Sequence, residues 1–105
     1  MKTVTVTKTA NVASGTISYG YYGFGMKRFR ISALKLTSAL ADSGNVTIAN
    51  ITEGIVGATV DMPVTGSDGF VGRIRFNTDG SIILYNISGA SMPTSMALTM
   101  SCFFM

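Results

Sequence analysis

Few side chains in this sequence could take part directly in a chemical reaction. The chain has no histidine, which is the most common general base and metal ligand near neutral pH. Its single cysteine, Cys102, lies in an apolar stretch near the end of the chain, and no basic residue stands beside it to lower the pKa of the thiol. We therefore expect that the protein is not an enzyme and that it uses no cofactor.

The five acidic residues do not form a convincing catalytic or metal-binding pattern. Asp42, Asp68 and Asp79 lie in or beside glycine turns, where aspartate is favoured because it hydrogen-bonds its own backbone. These three residues could bind a metal ion only if their loops converge. Glu53 and Asp61 could in principle form a glycosidase pair, although nothing in their spacing favours this. Exposed carboxylates without a metal site are the better prediction.

Residues 15–25 form the most unusual segment, because aromatic residues are interspersed with glycines there. Glycine lets the backbone bend, and tyrosine offers a flat ring with a hydrogen-bonding tip at low entropic cost. We predict a binding loop in which Tyr19, Tyr21 and Tyr22 stack on a sugar ring. The alternative is that these rings pack against the domain itself or against a neighbouring copy.

Basic residues cluster directly after this segment. Lys27, Arg28 and Arg30 lie close together, and Arg73 and Arg75 alternate on a later strand. Arg28 and Arg30 could hydrogen-bond the hydroxyl or phosphate groups of a glycan. The alternative is a solvated strand face or a salt bridge between subunits. The net charge is only +3, whereas nucleic-acid-binding proteins usually carry a stronger cluster of basic residues. We therefore expect no nucleic acid as a partner.

The composition indicates a surface with little charge. Only 12% of the residues are charged, against about 25% in typical soluble domains. Serine and threonine take their place, and threonine suits the half-buried face of a sheet. Such a surface suits a chain that is partly covered by neighbours. We expect synthesis in the cytoplasm and no membrane insertion, because the sequence shows neither a signal peptide nor a membrane-spanning apolar stretch.

Apolar and polar residues alternate along most of the chain, which predicts strands rather than helices. The predicted strands cover residues 3–7, 29–36, 46–51, 55–62, 70–76, 81–87 and 96–104. Ser32-Ala33 interrupts the alternation, which indicates a bulge. Pro63 is expected to end the strand before it, and Asn77-Thr78-Asp79-Gly80 is the strongest hairpin signal. The pattern predicts an all-β, antiparallel, jelly-roll-like β-sandwich that forms a single domain over residues 1–105.

The last third of the chain carries a pattern found in a known family. Residues 69–82 lead through an Asn-Thr-Asp-Gly turn to the Leu-Tyr-Asn-Ile-Ser-Gly of residues 84–89, and an apolar alternation closes the chain. This arrangement resembles the last strands of receptor-binding head domains in bacteriophage tail fibres and baseplate proteins. The resemblance covers residues 69–105, and the first half of the chain shows no comparable match.

The resemblance implies a homotrimer of β-sandwich heads at the tip of a phage tail, attached to other phage tail proteins. Each head would bind a polysaccharide on the host cell surface without catalysis. Phe103, Phe104 and Met105 would suit a subunit interface, where methionine and aromatic residues are enriched. Two alternatives remain open: a structural decoration or spike protein of the virion without a ligand, and a free-standing carbohydrate-binding module.

Overall fold

Alternating apolar and polar residues form nine antiparallel strands in the computed structural model, which describes residues 2–23, 26–51 and 59–104. The strands are β1 (Lys2–Val4), β2 (Val6–Lys8), β3 (Val12–Gly23), β4 (Met26–Leu36), β5 (Asn45–Ile51), β6 (Val60–Gly66), β7 (Val71–Phe76), β8 (Ser81–Asn86) and β9 (Leu98–Phe104). A short 3₁₀ turn, Ser67–Gly69, joins β6 to β7. The described residues include no helix with the length and apolar character that a membrane crossing requires.

All nine strands belong to one sheet with the order β1-β3-β4-β9-β6-β7-β8-β5-β2. The two strands at its ends, β1 and β2, are separated in sequence only by Thr5. Val4 pairs with Tyr19 of β3, whereas Val6 pairs with Ile51 of β5. One N-terminal segment therefore joins both ends of the sheet and nearly closes it into a barrel-like shape.

This arrangement confirms the predicted all-β antiparallel class but does not confirm the jelly-roll-like β-sandwich. A jelly-roll-like β-sandwich has two separate sheets that face each other. Here hydrogen bonding connects every described strand into one sheet that curves round on itself. The pattern of alternation could not distinguish these forms, because in both of them every second residue faces the core.

The inner face of the sheet forms one continuous apolar core. Phe29 and Phe76 meet near its centre, with ring centroids 4.7 Å apart and the rings nearly perpendicular. Edge-to-face contact of this kind is favourable because the positive ring edge meets the negative ring face. The other large side chains that are almost fully buried are Tyr19, Ile31, Leu34, Ile48, Val64, Ile74, Ile82, Leu84, Met92 and Leu98.

The predicted bulge at Ser32-Ala33 is present in β4. Ala33 has a φ of 51°, and the register with β9 shifts between Ile31 and Leu34. On the other side of β4, Gly15 of β3 has a φ of 100°, and a Cβ atom there would lie 2.5 Å from the Cα of Leu34. Glycine is required at position 15 because a side chain would collide with the β4 backbone.

Pro63 does not end a strand, contrary to the prediction, because it lies in the middle of β6. The N–H of Gly66 donates to the carbonyl of Phe70 at 3.0 Å, on the β7 side of β6. Since successive residues direct their backbone groups to opposite sides, the nitrogen of Pro63 faces β9. β6 pairs with β9 only at Thr65 and Gly66. Proline is tolerated here because the N–H that it lacks would point towards β9 at a position where β6 and β9 are not paired. Residues 52–58, which include part of the predicted strand, lie outside the described residues.

The predicted hairpin at residues 77–80 is confirmed. The N–H of Asn77 donates to the carbonyl of Ser81 at 3.0 Å, and Gly80 has a φ of 94°. The Asp79 carboxylate accepts hydrogen bonds from the hydroxyl and the N–H of Ser81, at 2.7 and 2.9 Å. These bonds stabilise the charged form and lower the pKa of Asp79. Asp79 therefore has a structural role in the turn.

Asn86 holds together the loops at one end of the sheet. Its side chain is fully buried, and its Nδ2 donates to the carbonyls of Leu40, Ala41 and Ala90 at 3.0, 3.2 and 2.8 Å. Its Oδ1 accepts from the N–H and the hydroxyl of Ser88 at 3.0 and 2.7 Å. One amide thus satisfies backbone groups from two loops that are distant in sequence.

Replacing Asn86 with alanine should destabilise the protein severely. The change removes the five hydrogen bonds of a fully buried amide, and each such bond contributes about 0.5–1.5 kcal/mol. We expect Asn86→Ala to lower the free energy of unfolding by at least ~3 kcal/mol in urea denaturation. Asn50→Ala, at an exposed position of β5, is the control and should change it by less than about 0.5 kcal/mol. Similar losses for both variants would contradict the role assigned to Asn86.

Candidate ligand-binding surface

The aromatic segment predicted to be a loop belongs to β3 as far as Gly23. Tyr19 is only 1% exposed and lies opposite Phe29 in the register, so its ring belongs to the core. Its ring centroid is 6.1 Å from that of the half-buried Tyr21, in an edge-on arrangement. The packing alternative therefore applies to Tyr19, because a buried ring offers no face to a ligand. The side chain of Tyr22 lies outside the described residues.

The remaining residues of the predicted site are separated by the sheet. Since side chains alternate between the two faces of a strand, Tyr21 shares the inward side with Tyr19, whereas Arg28 and Arg30 lie on the outer face of β4. The guanidinium carbon of Arg28 is 5.6 Å from the ring centroid of Phe103 on β9. The structure therefore does not bring Tyr19 and Tyr21 together with the two arginines on one surface.

The acidic side chains that the structure describes, those of Asp42, Asp61 and Asp79, are used locally, and the side chain of Asp68 lies outside the described residues. Asp42 accepts a hydrogen bond from the N–H of Gly89 at 3.0 Å and helps to join the two loops held by Asn86. Within the described parts of the chain, no group of three or more histidine, cysteine or acidic residues could hold a metal ion. Glu53 lies outside the described residues, so the proposed pair with Asp61 has no geometry to assess.

A cluster of polar and aromatic side chains lies on the outer face of β6, β7 and β8. We call Asp61, Arg73, Arg75 and Tyr85 the Arg–Tyr surface. The register places Arg73 directly opposite Tyr85. The guanidinium carbons of Arg73 and Arg75 lie 4.6 and 5.2 Å from the centroid of the Tyr85 ring. Both distances are within the range of cation–π attraction.

Arg75 and Asp61 form an ion pair within this surface. Nε and one terminal nitrogen of Arg75 donate to the two carboxylate oxygens of Asp61, at 2.8 and 3.2 Å. This bidentate geometry favours both charged forms, so it lowers the pKa of Asp61 and raises that of Arg75. The other terminal nitrogen of Arg75 donates to the Tyr85 hydroxyl at 3.5 Å. Arg75 is therefore held by its neighbours.

A cleft of about 130 Å³ opens beside this surface, at the end of the sheet where β4 ends and β5 begins. Its lining combines residues with amide or hydroxyl side chains and residues with apolar side chains: Asn11, Leu36, Thr37, Ser38, Ala39, Leu40, Asn45 and Val46. We call it the end cleft. Asn45 also lies opposite Tyr85 in the register. The end cleft and the Arg–Tyr surface are therefore neighbours through Asn45.

Reasoning from the sequence did not identify this region. The alternation of Arg73 and Arg75 placed both on one face of a strand, and the hairpin at residues 77–80 indicated that β7 and β8 pair. Extending that pairing outward from the turn places Tyr85 opposite Arg73. The end cleft had no such signal, because Asn11, Thr37 and Asn45 come from three separate parts of the chain.

The fold and the surface together describe a nearly closed, antiparallel, all-β domain with a shallow polar surface. A search of the solved structures found a similar one, the receptor-binding head domain of the lactococcal phage bIL170. The similarity covers 99% of this chain and 96% of that chain, with a TM-score of 0.79 and 12% sequence identity. This chain therefore has the fold of a phage receptor-binding head domain.

No family model matches the sequence, and no curated protein matches it. The likeness is accordingly one of backbone architecture. It extends over nearly the whole chain, whereas the resemblance seen in the sequence was limited to residues 69–105.

The burial of Tyr19 should make stability fall at high pH. Burial and the neighbouring Tyr21 raise the pKa of Tyr19 to about 12, whereas a tyrosine in an unfolded chain titrates near 10. The unfolded state therefore loses this proton first, so the stabilisation is complete below about pH 10 and is lost as the pH rises toward about 12. Urea unfolding of wild type and Tyr19→Phe across this range should show a steeper decline for wild type. Parallel curves would contradict the assignment.

Proposed function

We propose that this protein is a non-catalytic adhesion domain of a phage tail that binds a saccharide on the host cell surface. The observation that carries the proposal is the match of nearly the whole chain to the receptor-binding head domain of phage bIL170. Because that match concerns the fold alone, the ligand has to be argued from the surface of this chain.

The end cleft has the chemistry that a saccharide requires. Sugar rings present hydroxyl groups around their edge and C–H groups on their faces. The Asn45 amide can exchange hydrogen bonds with the hydroxyl groups. Asn11 Nδ2 and Thr37 Oγ1 already donate to the carbonyls of Thr47 and Ala10, so the Asn11 and Thr37 side-chain oxygens act as acceptors. The apolar side chains of the lining can pack against the C–H groups. We place the proposed saccharide contacts here. Of the ligand residues predicted from the sequence, Arg28 and Arg30 remain candidates for a separate contact on the outer face of β4.

Binding to purified host cell-wall polysaccharide tests this proposal. Asn45→Ala should weaken binding about tenfold, since one lost hydrogen bond of 1–1.5 kcal/mol changes an affinity by that factor. Asn50→Ala is the matched control, because it removes an exposed asparagine from the same strand away from the cleft. Equal affinities of wild type and Asn45→Ala would exclude this cleft. A wild type that binds no host polysaccharide would instead favour a structural virion protein.

We also propose that the heads assemble as a homotrimer, with β9 at the interface. Phe103 is 55% exposed on the outer face of β9, and Met26 on β4 is 41% exposed. A surface with few charges and exposed large apolar side chains is typical of a chain covered by its neighbours. The occupant that we infer for this face is a second copy of the chain.

Light scattering tests the assembly. The wild type should have the mass of three chains, and Phe103→Asp should shift it to the monomer, because the change replaces an apolar interface ring with a charged group whose desolvation costs several kcal/mol. Ile87→Asp is the control. Ile87 is also 55% exposed, but it follows the last residue of β8 and lies at the other end of the strands from Phe103. A monomeric wild type at micromolar concentration would contradict the proposal, and so would an unchanged mass for Phe103→Asp.

A further inference from the structure

We propose that Arg73, stacked on Tyr85, binds an oxyanion group of the ligand, either a carboxylate or a phosphate. This inference rests on the proposed saccharide-binding function and names the chemical class of the saccharide: it is acidic. Four observations support it, which concern the charge of Arg73, its orientation, its hydrogen-bonding capacity and its position beside the end cleft.

The charge of Arg73 is not neutralised in the way that the charge of Arg75 is. Asp61 lies opposite Arg75 in the register, whereas Pro63 lies opposite Arg73. The carboxylate oxygens of Asp61 are engaged by Arg75 in a bidentate ion pair. Among the described residues, Arg73 has no carboxylate within ion-pair distance. The Arg–Tyr surface therefore carries an excess positive charge at Arg73.

The Tyr85 ring holds the guanidinium of Arg73 in place. The guanidinium carbon is 4.6 Å from the ring centroid. Stacking of this kind restricts the orientation of the planar group, so less conformational freedom remains to be lost when a ligand binds. A free lysine or arginine on a flexible stem would lack this advantage, and this distinguishes Arg73 from the exposed Arg30 of β4.

The hydrogen-bonding capacity of Arg73 is not fully used. Its Nε atom has no hydrogen-bond partner among the described residues, but it is covered, so a ligand would meet the terminal nitrogens of the guanidinium first. The Tyr85 hydroxyl accepts a hydrogen bond from Arg75, so its own hydrogen is free to be donated. An anion with two oxygen atoms on one centre matches the paired donors of a guanidinium. Carboxylate and phosphate share this geometry.

The location of Arg73 connects the anion site to the end cleft. Pro63, Arg73, Tyr85 and Asn45 follow one another in a single row across β6, β7, β8 and β5. Arg73 and Asn45 are two strands apart, which is ~10 Å at the usual strand spacing. A saccharide whose neutral ring occupies the end cleft can therefore place an acidic substituent, or an acidic neighbouring unit, over Tyr85.

The first experiment tests the anion site without a polysaccharide. The full chain, with its arginine side chains observed by NMR, is titrated separately with inorganic phosphate, methyl glucuronide and the neutral methyl glucoside. Phosphate or the glucuronide should cause a saturable shift of the Arg73 Nε–H signal, and the glucoside should not. The anion that binds more tightly identifies the source of the negative charge. Equal shifts at Arg73 and at Arg30, or no saturation, would overturn the proposal.

The second experiment uses host cell-wall polysaccharide and the variants Arg73→Gln, Arg73→Lys and Arg30→Gln. Arg73→Gln should lose at least about tenfold in affinity, corresponding to one charge-assisted hydrogen bond of 1.5–3 kcal/mol. Arg73→Lys should recover only part of it, because lysine keeps the charge without the bidentate geometry. Arg30→Gln should bind like wild type. Melting temperatures identify any variant that has lost its fold. If Arg73→Gln is unfolded, the affinity of Arg73→Lys is compared with that of wild type instead.

The outcomes separate this inference from the proposed function. If wild type and Arg73→Gln bind the polysaccharide equally, the anion site is wrong and the saccharide-binding function stands. If no host polysaccharide binds while phosphate or the glucuronide still shifts Arg73, the proposed function fails and the anion site stands. Equal binding of the native polysaccharide and of a sample that has been carboxyl-reduced and dephosphorylated would also overturn the acidic-ligand assignment.

Discussion

Backbone hydrogen bonding by residues 2–8 turns a row of strands into a nearly closed sheet. β1 and β2 belong to one short segment, yet they pair with β3 and β5 at opposite ends of the strand order. Without this segment, β3 and β5 would present long unpaired edges, which promote aggregation. Because the sheet curves round on itself, every second residue of each strand faces a common interior. Tyr19 is therefore buried on the inner face, and Arg73 lies on the outer face.

The elements of the fold were easier to predict than their arrangement. The hairpin at residues 77–80 and the bulge at Ser32-Ala33 have local causes, because turn residues and a break in alternation act over a few positions. β3 was missed because its glycines and tyrosines are typical of loops, although Gly15 is needed for close contact with β4. The closed sheet was not predicted either, because the pairings of residues 2–8 depend on contacts between distant parts of the chain.

The functional surface was harder to predict for a related reason. Tyr19 and Tyr21 of β3 and the arginines of β4 are close in sequence, which suggested one site, but the alternation of side chains places these two tyrosines and the arginines on opposite faces of the sheet. Arg73 and Tyr85 are further apart in sequence and meet through the register of a hairpin. Distance along the chain is therefore a poor guide in a protein of this class, and the face of the strand together with the register is a better one.

The position of Pro63 has a mechanical consequence. β6 shares six register positions with β7 but only two with β9 over the described residues. Strands that share few hydrogen bonds separate under a smaller load, because fewer bonds resist the force at the same time. Among the described pairs of hydrogen-bonded strands, β6 and β9 therefore share the fewest paired positions. Under tension, the closed sheet would open there into a curved ribbon while the β6–β7–β8 face that carries Arg73 and Tyr85 stayed intact.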